Sequence, residues 1–273
     1  MQTEIVSTSS HQASDVARAF DGVAGVFDRD LENSITAELR RRVYSILTSL
    51  VPSGSTILDI NCGTGIDALF LAESGYRVTC MDVSSAMIAE AKKKFSLRSD
   101  LQTEFTTGSF DDLADKHVPP VDMILSNFGG INCSGDLERT AQAIASAIKP
   151  GGFFVGVIMP RFSLWESSSY LLHFQWRKAK RRFGGIAAAT GFGNQLFPVY
   201  YYSPDDVLEA FGDGFIKKRI AGLSIVAPTP QSTGFAQRHP GFVRLLFRLD
   251  RFLQSVPVLR SIGDHFIIVL QKQ

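Results

Sequence analysis

Asp59, Asn61, Gly63, Thr64 and Gly65 crowd into one bend, and Asp82 stands 17 residues beyond Gly65. Two carboxylates bracketing a glycine-rich bend are equipment for holding a nucleoside-bearing cofactor. Gly63 and Gly65 lack a Cβ, so the bend can take left-handed dihedrals and a ligand can lie against its backbone. A helix starting at this bend aims its free N–H groups and the positive end of its dipole at the same spot. Asp82, closing the segment Arg77–Asp82, can accept hydrogen bonds from two adjacent ribose hydroxyls. Asp59 places a negative charge where a pyrophosphate would be repelled and an ammonium attracted.

Gly63-Thr64-Gly65-Ile66-Asp67-Ala68 also satisfies the dinucleotide pattern with Ala in third place, and Asp82 lies near the offset that pattern expects. On the glycines alone, a nicotinamide-dependent oxidoreductase stays open. Asp59 and the turn Lys149-Pro150-Gly151-Gly152 favour S-adenosylmethionine instead. Asp59-x-Asn61-x-Gly63-x-Gly65 and Asp82-Val83-Ser84 resemble the first two motifs of class I S-adenosylmethionine-dependent methyltransferases. Gly108-Ser109-Phe110-Asp111-Asp112-Leu113 resembles the segment that meets the adenine. Val121–Phe128 resembles the fourth strand with its exit loop, and Lys149–Phe153 the turn into the fifth. The likeness spans residues 30 to 160. It implies a Rossmann-like α/β fold of seven strands, mostly parallel with the last reversed, and helices on both faces. It further implies S-adenosylmethionine as cofactor, with S-adenosylhomocysteine as product. The residues it assigns to the cofactor are Asp59, Asn61, Gly63, Thr64, Gly65, Asp82, Val83, Met87, Ser109, Phe110, Ser126 and Asn127. Asn61 stands where the family most often has glycine, and Asn tolerates left-handed dihedrals better than other non-glycine residues. Ser109 stands where an acid often meets the adenine amino group. These departures keep a second reading open, a non-catalytic S-adenosylmethionine-binding regulatory module of the same fold.

Methyl transfer from a sulfonium is an in-line displacement in which positioning does most of the work. A base is needed only when the acceptor must lose a proton, and no motif marks one. His173, set among aromatic residues, and Tyr200, in Tyr200-Tyr201-Tyr202, are the candidate catalytic residues; His117 reads as a loop residue. Phe27, Asn132, Trp165 and Tyr201 are the candidate substrate contacts. Phe27-Asp28 occupies a place where related enzymes often carry Tyr-Asp in an N-terminal cofactor cover. The expected partner is a small, apolar or aromatic organic acceptor, methylated at O, N or C. No metal site is expected. A nucleic-acid partner is not expected either, because the net charge is +1 and Ser126-Asn127-Phe128 lacks the paired prolines of many nucleic-acid amino methyltransferases.

The elements that must position these residues alternate along the chain. Apolar runs predict strands near 56–60, 77–82, 103–107, 121–126 and 152–159, with helices near 65–74, 85–95 and 136–148. Such alternation means parallel strands, right-handed crossovers and ligands at the strands' carboxyl ends. Ser34–Leu50 reads as a helix with Ile35, Leu39, Val43, Ile46, Leu47 and Leu50 on one face, whereas residues 1–12 read as loose and 14–20 as a short helix. A helix at 204–211 and strands at 215–226 and 265–270 complete the sheet. The chain thus divides into an N-terminal helical cover (1–52), the cofactor-binding core (53–160), a helical lid insertion (161–202) and a C-terminal completion of the sheet (203–273). Leu164, Trp165, Tyr170, Leu171, Leu172, Phe174 and Trp176 are expected to line the lid. The basic run Arg177–Arg182 and the segment Arg244–Arg260 permit contact with a membrane surface, against the plainer reading of a solvated or packed helix face. Hydrophobic residues make up 45 % of 273, enough for a full core. Cys62, Cys80 and Cys133 form no CxxC pair, which favours a reducing compartment. The N-terminus lacks a signal-peptide pattern and no apolar run nears the ~18 residues of a membrane span, so a cytoplasmic protein is expected. Oligomeric state leaves no mark in the sequence.

Overall fold

The structure, a computed structural model, describes residues 2–113, 118–192 and 195–273; His117 lies outside them. Helices α1 (Gln2–Asp21), α2 (Phe27–Leu31) and α3 (Ser34–Leu50) precede β1 (Thr56–Asp59). Then come α4 (Ile66–Glu73), β2 (Arg77–Asp82), α5 (Ser85–Phe95), β3 (Thr103–Thr107), β4 (Val121–Ser126), α6 (Leu137–Ser146) and β5 (Ile148–Ile158). The insertion holds α7 (Leu164–Leu172), α8 (Trp176–Ala179), β6 (Ile186–Phe192) and β7 (Gln195–Tyr200). It is helical only in its first half; β6 and β7 form an antiparallel hairpin that the sequence reading does not foresee. The chain ends with α9 (Pro204–Phe211), β8 (Phe215–Leu223), α10 (Thr233–Arg238), α11 (Pro240–Leu253) and β9 (His265–Lys272).

Seven strands form one sheet in the order β3-β2-β1-β4-β5-β9-β8. β1 to β5 are parallel, and β9 runs antiparallel to both β5 and β8. Alternation along each strand sends side chains to two cores. Ile57, Val78, Met123, Val155 and Ile267 face α3, α4 and α11, where Leu39, Val43, Leu71 and Phe247 are buried. Leu58, Ile124, Phe154 and Ile268 face α6 and α9, where Ile144 and Val207 are buried. Asn33 caps α3, its side chain accepting from Ile35 and Thr36 N–H. Lys149–Gly152, expected as a turn into the fifth strand, is instead an irregular stretch within β5, where pairing with β4 shifts between Val121 and Met123.

The N-terminus departs furthest from expectation: one helix runs from Gln2 to Asp21, and its second half packs on the hairpin. Val16 and Ala19 are buried with Phe197, Val199 and Tyr201 in a third, smaller core. Hairpin and N-terminal helix thus complete each other, which a reading confined to local pattern cannot register.

Candidate active site

A cleft of about 1090 Å³ lies where β1, β2 and β4 end. Its polar half is built by the bend after β1. Gly63 and Gly65 take φ of +52° and +80°; a Cβ on Gly65 would also fall 3.1 Å from that of Ala91, so glycine is required there twice over. The Gly63 N–H donates to Asp82 Oδ2 at 2.9 Å, and Ser84 N–H donates to Oδ1 at 2.9 Å. Burial outweighs these two donors and lifts the Asp82 carboxyl to about 6. Thr64 and Lys94 both bond to Asp28, the Lys94 contact at 2.7 Å, which clamps α2 over the bend and holds Phe27 against the cleft.

Asn61 explains its own presence. Its Oδ1 accepts from Ser126 Oγ at 2.6 Å and its Nδ2 donates to the Asn127 carbonyl at 2.8 Å, so it stitches the bend after β1 to the loop after β4. Gly130 leaves the room, since a Cβ there would lie 2.0 Å from Asn61 Cγ. Asp59 sits behind the bend, fully buried and off the cleft wall, and neither carboxylate oxygen has a hydrogen-bond partner. Desolvation, then the nearby charge of Asp67, pushes it well above the ordinary carboxylate range. Asp67, which the sequence reading passes over, does reach the wall. It accepts from Arg40, from Tyr44 Oη at 2.7 Å and from Asn127 Nδ2 at 2.9 Å. Burial would raise its pKa, but Arg40 and these donors hold it low. Those bonds tie α3 and Asn127 to the start of α4.

Ser109 lines the cleft, but its hydroxyl accepts from the Asp111 N–H, capping the short turn Phe110–Asp112. Asp111 lines the cleft beside Phe110 and accepts one bond from Thr140 at 3.2 Å. Burial raises its carboxyl as well.

The other half of the cleft is aromatic. Phe20 of α1 lies 6.2 Å from Phe27 and 5.8 Å from Phe197 of β7, ring centre to ring centre. Val199, Tyr200, Tyr201 and Met159 extend this wall. The lining therefore comes from the hairpin and α1. Of the insertion residues expected to supply it, Tyr170 does so, whereas Leu172, Phe174 and Trp176 face solvent. Trp165 is off the wall because its indole N–H finds Ser232 Oγ at 3.0 Å and its ring packs on Phe235 of α10. His173 is exposed at the end of α7, with Nδ1 2.8 Å from the Ser169 carbonyl, and does not line the cleft. Asn132 is buried and fully engaged: it donates to the Met159 and Tyr200 carbonyls at 3.0 and 2.6 Å and accepts from Met159 N–H at 2.9 Å. It latches β7 to the end of β5. Gly65, Met87 and Ser126 support the cleft from behind, while Asn61, Gly63, Thr64, Asp82, Val83, Phe110, Asn127, Phe27, Tyr200 and Tyr201 line it.

Among the described residues one histidine does line it: His265, the first residue of β9. Because β9 is reversed, its start lies at the edge where the parallel strands end. Its Nδ1 is 3.1 Å from Asp264 Oδ2, and the Phe128 ring meets it edge-on at 5.7 Å. Phe128 holds φ at +44°, an uncommon value for a bulky residue. Burial would raise the Asp264 carboxyl, but His265 and the Arg182 guanidinium, 2.7 Å away, hold it well below the usual range. Arg182 also reaches Glu166 at 2.6 Å and lies over the Tyr201 ring. Among the described residues no cluster of His, Cys, Asp and Glu could hold a metal ion, and no helix is long and apolar enough to cross a membrane.

Residues 57–152 match a family described as a methyltransferase domain. A malonyl-[acyl-carrier protein] O-methyltransferase of Pectobacterium atrosepticum is 29 % identical over 163 residues, 59 % of each chain. A tRNA 5-carboxymethoxyuridine methyltransferase of Escherichia coli is 29 % identical over 142 residues, 50 % of this chain and 54 % of that one. The chain thus spans little more than half the length of these relatives. The magnesium protoporphyrin IX methyltransferase of Synechocystis, solved with bound S-adenosylhomocysteine, shares the fold with a TM-score of 0.61 at 15 % identity, over 96 % of this chain and all of that one.

Proposed function

We propose that this chain, whose residues 57–152 match a methyltransferase domain, transfers a methyl group from S-adenosylmethionine to a small, apolar or aromatic organic acceptor at O, N or C. One observation carries the reading. The glycine bend and Asp82 are joined by a hydrogen bond at the strand ends, and the same cleft continues into an aromatic chamber.

The residues fit the cofactor. Asp82 keeps unused lone pairs for ribose hydroxyls beyond its two backbone donors. Asp111 accepts from the adenine amino group, since it lines the cleft beside Phe110 and keeps acceptor capacity beyond its one bond from Thr140. The methionine end meets the bend at Gly63 and Thr64, which line the cleft, whereas Asp59 is buried behind it with its carboxyl pushed up and reaches no part of the wall. When bound, S-adenosylmethionine supplies a methyl group on a sulfonium leaving group. Phe20, Phe27 and Phe197 exclude water and hold an apolar acceptor against it. His265 takes the role that sequence reading gave to His173: it accepts the acceptor's proton, while Asp264 keeps a negative charge beside Nδ1.

The acceptor class is tested by transfer of a labelled methyl group to phenols, quinols, carboxylic acids and, separately, tRNA. Transfer to the small aromatic acceptors alone supports the proposal; transfer confined to tRNA overturns the acceptor class. With a working acceptor, His265→Gln should lower kcat by about 10²–10⁴-fold without changing S-adenosylhomocysteine affinity. An unchanged kcat would remove His265 from the mechanism.

A further inference from the structure

We propose that α11 is a surface-docking helix that holds this chain on an anionic phospholipid membrane. The helix has three faces. Val243, Phe247 and Asp250 are buried against the domain. Phe242, Leu245, Leu249 and Phe252 remain 52, 49, 44 and 80 % exposed. At 100° per residue those four fall within an arc of about 80°, a continuous apolar stripe about 15 Å long. Such a row is more than the scattered exposed leucine of an ordinary surface.

Charge identifies the occupant. Arg244, Arg248 and Arg251 occupy the arc adjoining the stripe, and the one acid of the helix, Asp250, is wholly buried and bonded to the N–H groups of Ile225, Val226 and Ala227. Arg251 pairs with Glu38 at 2.9 Å. Among the described residues no carboxylate pairs with Arg244 or Arg248. The exposed side of the helix is therefore apolar and cationic, on a chain whose net charge is only +1. Phenylalanine and leucine beside unpaired arginines match the acyl boundary and headgroups of an anionic leaflet. A protein partner of the same chain would have to bury those arginines against its own. The position also fits a membrane-borne acceptor, since the cleft-lining residues Pro230 and Gln231 lead through one short helix into α11.

Co-sedimentation of the full chain with phosphatidylcholine vesicles, with and without phosphatidylglycerol, tests this. The wild type should sediment with the phosphatidylglycerol vesicles and be released by salt. Leu249→Glu with Phe252→Glu should cut the bound fraction at least about tenfold, with circular dichroism and Tm unchanged. Arg244→Glu with Arg248→Glu, which disturbs no packing, should abolish the preference for phosphatidylglycerol. Sedimentation with neither vesicle, or binding by both double variants equal to that of the wild type, overturns the proposal. So does light scattering that finds a dimer split by Leu249→Glu with Phe252→Glu, because the stripe is then an interface between two copies.

Discussion

Asp82 carries two duties that pull against each other: it is buried enough to resist ionisation, yet a ribose diol needs its ionised form as acceptor. Burial raises its carboxyl to about 6, so the sign of the pH effect is fixed. Above that value the carboxylate is present and affinity for S-adenosylhomocysteine should be flat. Below it, protonation competes with binding, and affinity should fall toward about tenfold per pH unit. Titration across this range measures the effect, and an affinity independent of pH would separate Asp82 from the cofactor. In the free protein the same raised value means that ionising Asp82 costs folding stability, fully so above about 6. Gly63, Gly65 and Asp82 were legible because strand–bend–helix alternation fixes which residues stand at strand ends. Asp67, Asp111 and His265 were not, because a lone acid or histidine has no spacing to betray it. The one available signal for His265 was topological, since the first residue of a reversed strand beside β5 must lie at the edge where the site is.

Among the elements, the parallel strands and their crossover helices followed from apolar periodicity, and α3 and α9 occupy the residues expected, 34–50 and 204–211. The hairpin escaped because Ile186–Phe192 is alanine-rich and β7 contains Pro198, both weak marks of a strand. Its fold comes from partners distant in sequence: α1 on one side and Asn132 at its end. Asn132→Ala leaves the Met159 and Tyr200 backbone groups without their partner, and should cost about 1–3 kcal/mol in denaturant unfolding. Limited proteolysis should then cut the hairpin faster than the wild type. Unchanged stability with an equally protected hairpin would mean that α1 alone secures it. Ala at Gly130 should likewise displace Asn61, since no space remains for a methyl group there.

Across the whole molecule, Arg182 joins the insertion to the sheet. It bonds to Glu166 of α7 and to both the carboxylate and the carbonyl of Asp264, while only about 5 % of its surface is exposed. Arg182→Ala leaves the buried Asp264 carboxylate with only His265 beside it, while Glu166 keeps Arg181, and should destabilise by about 3–5 kcal/mol; a loss under 1 kcal/mol, by about the measure of a surface pair, would contradict this. The depressed carboxyl of Asp264 contributes stability above the ordinary carboxylate value of 3.8 that is lost as pH falls below it. The same network holds Asp264 beside His265, so insertion, last strand and cleft stand or fall together. At the centre stands the binding of an adenosyl cofactor in this cleft through Asp82 and the glycine bend. Calorimetric titration with S-adenosylhomocysteine near neutral pH tests it most directly. The expected result is saturable binding to one site in the wild type, weakened by about 1–3 kcal/mol in Asp82→Ala; no heat of binding to the folded wild type, or equal affinity in the two proteins, would contradict it.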